Sequence, residues 1–169
     1  MLTIRKIRER KQLRLTDHDY SGSFSYFVTI CVNDRSDCFG EIVNQKMKLN
    51  NYGKIADQQF EWLQNQYPYI KIPKWIIMPN HVHAIIEIDD NRGRSRPSPV
   101  MGSTKIKPLP ELIGAYKTTT SKKIHLTGLT GFRWQRSYHE RIIHNKIQYT
   151  RISEYIRKNP EKWPLETGQ

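Results

Sequence analysis

Ser23 to Val32 reads SFSYFVTICV, a run of aromatic and β-branched residues that predicts a core strand. Lys46 to Leu49 predicts a short strand leading to Asn50-Asn51. From Tyr52 to Tyr67 the apolar residues Ile55, Ala56, Phe60 and Leu63 then recur at helical spacing. Two further apolar runs, Ile72 to Met78 and His81 to Ile88, flank the turn signal Pro79-Asn80 and predict a β-hairpin. Leu109, Leu112, Ile113 and Tyr116 begin a second helix that runs to about Ile124, with Pro110 tolerated in its first turn. Phe132 to Tyr138 reads as a fourth strand. Lys146 to Lys158 reads as a third helix, with Ile147, Ile152, Tyr155 and Ile156 in register and Asn159-Pro160 as its stop.

This order predicts an α+β fold, a ferredoxin-like antiparallel sheet with helices packed on one face and the other face open to a ligand. The 169 residues suit one domain, spanning 23–165 behind a basic N-terminal leader, 1–22. Residues 89–109 are dominated by Gly, Pro, Ser and charge, which predicts a mobile loop inside that domain and not a boundary. No run approaches the roughly 18 apolar residues of a membrane span, and the first residues are charged where a secretory signal would be apolar. The expectation is a cytoplasmic protein with no membrane association, whose two cysteines, Cys31 and Cys38, are reduced thiols.

Charge changes the picture. Lys and Arg number 28 against 16 Asp and Glu, a net +12 that favours polyanionic partners, nucleic acid first. The excess is uneven. Arg5, Lys6, Arg8, Arg10, Lys11 and Arg14 crowd the start, and Lys117, Lys122, Lys123, Arg133, Arg136 and Arg141 form a second series. Tyr116, Phe132, Trp134 and Tyr138 interleave with that second series, a mixture suited to gripping phosphates while stacking on unpaired bases. The same residues also suit a solvated face over core aromatics.

Two segments could carry chemistry. In His81-Val82-His83 the histidines sit at i and i+2 of a strand, so both imidazoles face one way and could share a divalent ion that polarises a phosphate. Such a tripeptide is equally compatible with two histidines at an exposed strand end. On the third helix Arg151, Tyr155 and Asn159 lie one turn apart on one face. A phenol there could attack a phosphodiester, with Asn159 as a further metal ligand. Tyr155 could instead pack with Ile152 and Ile156, and Asn159 could cap the helix.

Taken together, MPNHVHAIIEI (Met78 to Ile88), FRWQRSYHERIIHN (Phe132 to Asn145) and ISEYIRKNPEKW (Ile152 to Trp163) resemble the HUH single-tyrosine transposases of the insertion sequence 200-like class. Within that class they look most like the REP-associated tyrosine transposase group. YFVTICV and IGAYKTTTSKKI look like the family's first strand and basic helix, so the resemblance spans Ser23 to Trp163. It implies Mg or Mn held by His81 and His83, with Tyr155 as the nucleophile that takes the 5′-phosphate of single-stranded or hairpin DNA. Related enzymes place a glutamine one turn after the tyrosine as third ligand, where this chain has Asn159. Tyr138 and Tyr149 are rival nucleophiles, and His139 is an alternative ligand. Lys117, Lys122, Lys123, Arg133 and Arg136 are the candidate backbone grips, and Trp134 the candidate stacking residue. The resemblance leaves monomer and homodimer both open. A non-catalytic nucleic-acid-binding module and a water-activating phosphodiesterase are the competing functional classes.

Overall fold

Strict alternation builds the centre of the sheet. In β1 (Phe24–Cys31) Tyr26, Val28 and Ile30 are fully buried on one side, while Phe27 and Thr29 point to the other. The computed structural model describes residues 24–89 and 106–166; the expected leader 1–22 and residues 90–105 of the expected loop 89–109 lie outside the described residues. A tight turn over Asn33–Arg35 follows β1 and leads to a small hairpin of β2 (Gly40–Val43), which patterning did not reveal, and β3 (Lys46–Leu49), the expected short strand. Its two-residue turn, Asn44-Gln45, takes positive φ at both positions, as the twist of a tight hairpin requires.

Helix α1 (Asn51–Gln66) starts where expected, because the Asn50 side chain accepts a hydrogen bond from the Gly53 amide at 3.0 Å. Gly53 is needed there for a second reason: a Cβ would meet the Phe39 carbonyl oxygen at 2.2 Å. Strands β4 (Ile70–Ile77) and β5 (His81–Ile88) form the expected hairpin. Pro73 sits where the β4 register shifts, on an edge strand, and the Ile72 amide beside it donates to Gln64 Oε1 instead. Helix α2 (Leu109–Leu126), strand β6 (His139–Ile143) and helix α3 (Lys146–Glu166) complete the chain.

The four-stranded sheet is antiparallel throughout, in the order β4-β5-β1-β6. With β2 and β3 set aside as a separate hairpin, the connectivity is the βαββαβ of the expected ferredoxin-like class. On the core face α1 packs on α2, with the Phe60 and Tyr116 rings stacked at 4.2 Å and the Tyr116 hydroxyl donating to the Ala56 carbonyl at 3.0 Å.

The structure differs from expectation at three places. The fourth strand is His139–Ile143, not Phe132–Tyr138, which makes only a single bridge between Trp134 and Val32. Helix α3 does not stop at Asn159-Pro160 but runs on to Glu166; both residues are buried, and burial outweighs the hydrogen bond that proline cannot donate. Lastly, α3 lies across the second sheet face, where Ile156 packs on Ile85 and Ile143 beside Phe27, Ile76, Ile152 and Tyr155. That face is therefore partly roofed, and the roof carries the tyrosine.

Candidate active site

His81 and His83 open β5 and, by strand parity, both turn to the face under α3. Their Nε2 atoms approach to 3.1 Å. Each ring is oriented from behind through Nδ1, His81 by Asn80 Oδ1 at 2.9 Å and His83 by the hydroxyl of Thr29, its cross-strand partner on β1, at 2.8 Å. Asn80 is itself fixed, because its Nδ2 donates to Asp37 Oδ1 at 2.8 Å and to the Arg35 carbonyl at 3.1 Å. Two acceptors around Nδ2 settle which way that amide points, so Oδ1 accepts and His81 Nδ1 carries a proton.

Burial lowers both imidazoles, His81 to about 4, with the Arg35 charge adding to the effect, and His83 to about 3, with His81 adding. Both are neutral at pH 7, and His81 then presents a bare lone pair at Nε2. The Thr29 hydroxyl can donate or accept, so His83 can either give an Nε2 proton to His81 or hold its proton on Nδ1 and present a second lone pair. In the latter state two lone pairs face each other at 3.1 Å. A cation between them would make that arrangement favourable, and the spacing is close to the roughly 3.0 Å that separates adjacent ligands in an octahedron with bonds of about 2.1 Å.

Asn159 is buried to 1 % exposure, and among the described residues neither its Oδ1 nor its Nδ2 makes a hydrogen bond of good geometry. It lies close enough to His81 to favour that ring's protonated form. An orphaned carboxamide beside two converging imidazoles fits a ligand set of two nitrogens and one oxygen for a divalent ion. The Tyr155 hydroxyl stands 3.5 Å from His83 Nε2, its ring edge-on to both His83 and Phe27. An open cavity of about 580 Å³ collects His81, His83 and Tyr155, with Thr29, Arg35, His139 and Trp163 on its walls, while Asn159 lies behind its lining. The Trp163 ring lies 5.7 Å from that of His81.

Tyr155 is the tyrosine that reaches this cavity among the described residues. Tyr138 is buried in the main core, and Tyr149 packs in the cluster under α3, so neither rival lines it. His139 does line it, on β6 opposite Thr29. The expected grips gather elsewhere: Lys117, Lys122, Arg133 and Arg136 border a second groove of about 770 Å³ between α2 and the segment 132–136. Lys117 is partly spent there, since its Nζ donates to the Gln135 carbonyl at 2.5 Å and the Arg136 carbonyl at 3.1 Å and so holds that segment. Lys123 is exposed on α2 but outside the groove lining. Trp134 departs from its expected stacking role. It is only 9 % exposed, with Phe39, Phe132 and Tyr116 around its ring, which makes it a core residue at the groove wall. Thr29, Asp37 and Arg35 went unmarked in the sequence, because nothing in a linear pattern links residues that meet only on folding, and Asn80 was marked only as a turn residue.

An uncharacterized protein of Haemophilus influenzae is 33 % identical over 164 residues, which cover 93 % of this chain and 91 % of that protein. The chain belongs to that protein's family. No family model matches. Among solved structures, a REP-associated tyrosine transposase bound to a REP hairpin is similar with a TM-score of 0.59 at 19 % identity, over 88 % of this chain and 73 % of that one. A candidate transposase of Deinococcus radiodurans is similar with a TM-score of 0.51 at 12 % identity, over 85 % of this chain and 96 % of that one. The fold is thus that of transposases. No helix among the described residues is long and apolar enough to cross a membrane.

Proposed function

We propose that this chain is a single-strand DNA endonuclease and strand transferase of the HUH transposase kind, acting on hairpin-associated single-stranded DNA. The observation that carries the reading is the meeting of the Tyr155 hydroxyl with the paired Nε2 atoms of His81 and His83 in one open cavity. The transposase fold supports it, as does the REP hairpin bound by a structural neighbour. His81, His83 and Asn159 would hold a divalent ion, Mg or Mn, and that ion would supply a Lewis acid for a non-bridging oxygen of the scissile phosphate.

The chain's own residues do the rest. Phe27 and α3 hold the phenol beside the histidines, and its oxygen attacks phosphorus. A phosphotyrosyl bond forms to the 5′-phosphate and the bond to the 3′ oxygen breaks. The phenol loses a proton and the released 3′ oxygen gains one, so the step balances without ATP or an oxidant. A 3′-hydroxyl reverses it on a new strand. A water-activating hydrolase is less well served, because Asp37 is the one carboxylate lining the cavity among the described residues and it is bonded to Asn80.

Incubation with labelled hairpin DNA bearing a single-stranded extension, in Mn or Mg, should give a protein–DNA adduct stable to denaturation. The adduct should vanish with chelator and in Tyr155→Phe. Cleavage without an adduct would favour the hydrolase, and tight binding with neither would favour a binding module.

A further inference from the structure

A third cavity, of about 410 Å³, lies between β6 and α3 and is absorbed neither by the histidine pair nor by the α2 groove. It shares Thr29, His139 and Tyr155 with the catalytic cavity, so the two adjoin at the phenol. Phe27 and Ile152, both half-buried, give it an apolar floor. Arg141 and Arg151 flank that floor. Arg141 is the cross-strand partner of Phe27 on the same sheet face, and Arg151 stands one helical turn before Tyr155.

Both arginines are exposed, and neither is engaged in an ion pair among the described residues. Glu140 also contributes to the lining, but strand parity sends its side chain to the opposite face with Val28, so its carboxylate does not oppose the two guanidinium groups. Two free guanidinium groups beside a narrow apolar floor match one chemistry well. A nucleotide offers a flat face for the floor and phosphates for the arginines.

We infer that the β6–α3 groove is a single-nucleotide subsite, in which Phe27 and Ile152 receive the base next to the attacked phosphate and Arg141 and Arg151 hold the backbone phosphates on either side. This rests on the function proposed above. A strand with its phosphate at Tyr155 must leave the cavity in two directions. Residues 132–141 line all three cavities in turn and so trace a basic path from Arg133 and Arg136, past His139, to Arg141.

The test is binding of the full chain to a fluorescein-labelled random 20-nucleotide single strand, with EDTA present to prevent cleavage, read by anisotropy between about 50 and 200 mM salt. Each lost phosphate contact should lower the slope of log affinity against log salt by about 0.7 for a single strand. Arg141→Ala and Arg151→Ala should each show that drop, Arg→Lys should restore it, and Lys54→Ala, an equal charge change on exposed α1 surface, should not show it. Wild-type protein that binds neither this strand nor a hairpin bearing a single-stranded extension would overturn the proposed function itself. Normal wild-type binding with unchanged slopes in both arginine variants would overturn this subsite alone. So would a polyglutamate competitor that displaces the strand as well as unlabelled DNA does.

Discussion

Asn80→Ala removes the one side chain that fixes the His81 tautomer. Asn80 accepts from His81 Nδ1 at 2.9 Å and donates to Asp37 at 2.8 Å and to the Arg35 carbonyl at 3.1 Å. Two of these bonds are neutral, at roughly 1 kcal/mol each, and the exposed one to the Asp37 carboxylate adds a similar amount, so the loss of all three costs about 2–3 kcal/mol of stability. For a chain of this size that lowers the melting temperature by about 2–4 °C per kcal/mol. The larger consequence is chemical. With no acceptor at Nδ1, His81 can move its proton to Nε2 and lose the lone pair that faces His83. Outer partners of metal-binding histidines typically contribute tenfold to a hundredfold in affinity, or about 1.4–2.7 kcal/mol. Titration of Mn(II), with the free ion read by electron paramagnetic resonance, should therefore show a dissociation constant raised by about tenfold or more, and Asn80→Asp should recover part of it. Wild-type binding combined with a dissociation constant within about twofold of it in Asn80→Ala would refute the orienting role.

Four other outcomes follow from the same geometry. Thr29→Val keeps the shape but cannot accept from His83 Nδ1, and should weaken Mn(II) binding by about tenfold with little change in melting temperature. Both histidines titrate below the ordinary 6.5 in the fold, so the unfolded chain takes up the extra protons first; the melting temperature of metal-free protein should fall as pH drops from 6.5 toward about 4 and stay level above 6.5, with a flatter fall in the His81→Asn, His83→Asn double variant. Burial pushes Cys38 up to about 12, so iodoacetamide at pH 8 should label it far more slowly than a free thiol, as mass spectrometry would show. Gly53→Ala drives a Cβ against the Phe39 carbonyl and should destabilise the fold by about 1–3 kcal/mol in urea unfolding.

The central hairpin and both histidines were legible because strand parity and the Pro79-Asn80 turn are local signals. The position of α3 was also written in β5, although less plainly. HVHAIIEI is buried at nearly every position, which a strand with one open face would not be. The fourth strand was misplaced for a physical reason. Phe132, Trp134 and Tyr138 look strand-like because they fill the core from an irregular segment, whereas the true strand, His139 to Ile143, lies at the sheet edge with polar positions toward solvent. Pro160 is a strong local stop signal that tertiary burial overrides. Asn80 was visible only as a turn residue, and Thr29 and Asp37 had no sequence signal, since Thr29 lies 54 positions from His83 and Asp37 lies 43 from Asn80.

The most direct measurement is peptide mapping of the covalent adduct formed with hairpin DNA and Mn, together with the chemistry of the released end. Nucleotide mass on the peptide that contains Tyr155, joined through a 5′-phosphate, with a released strand that a polymerase extends from its 3′-hydroxyl, is the predicted result. Mass on Tyr138 or Tyr149, or a 3′-phosphate on the released strand, would contradict the account.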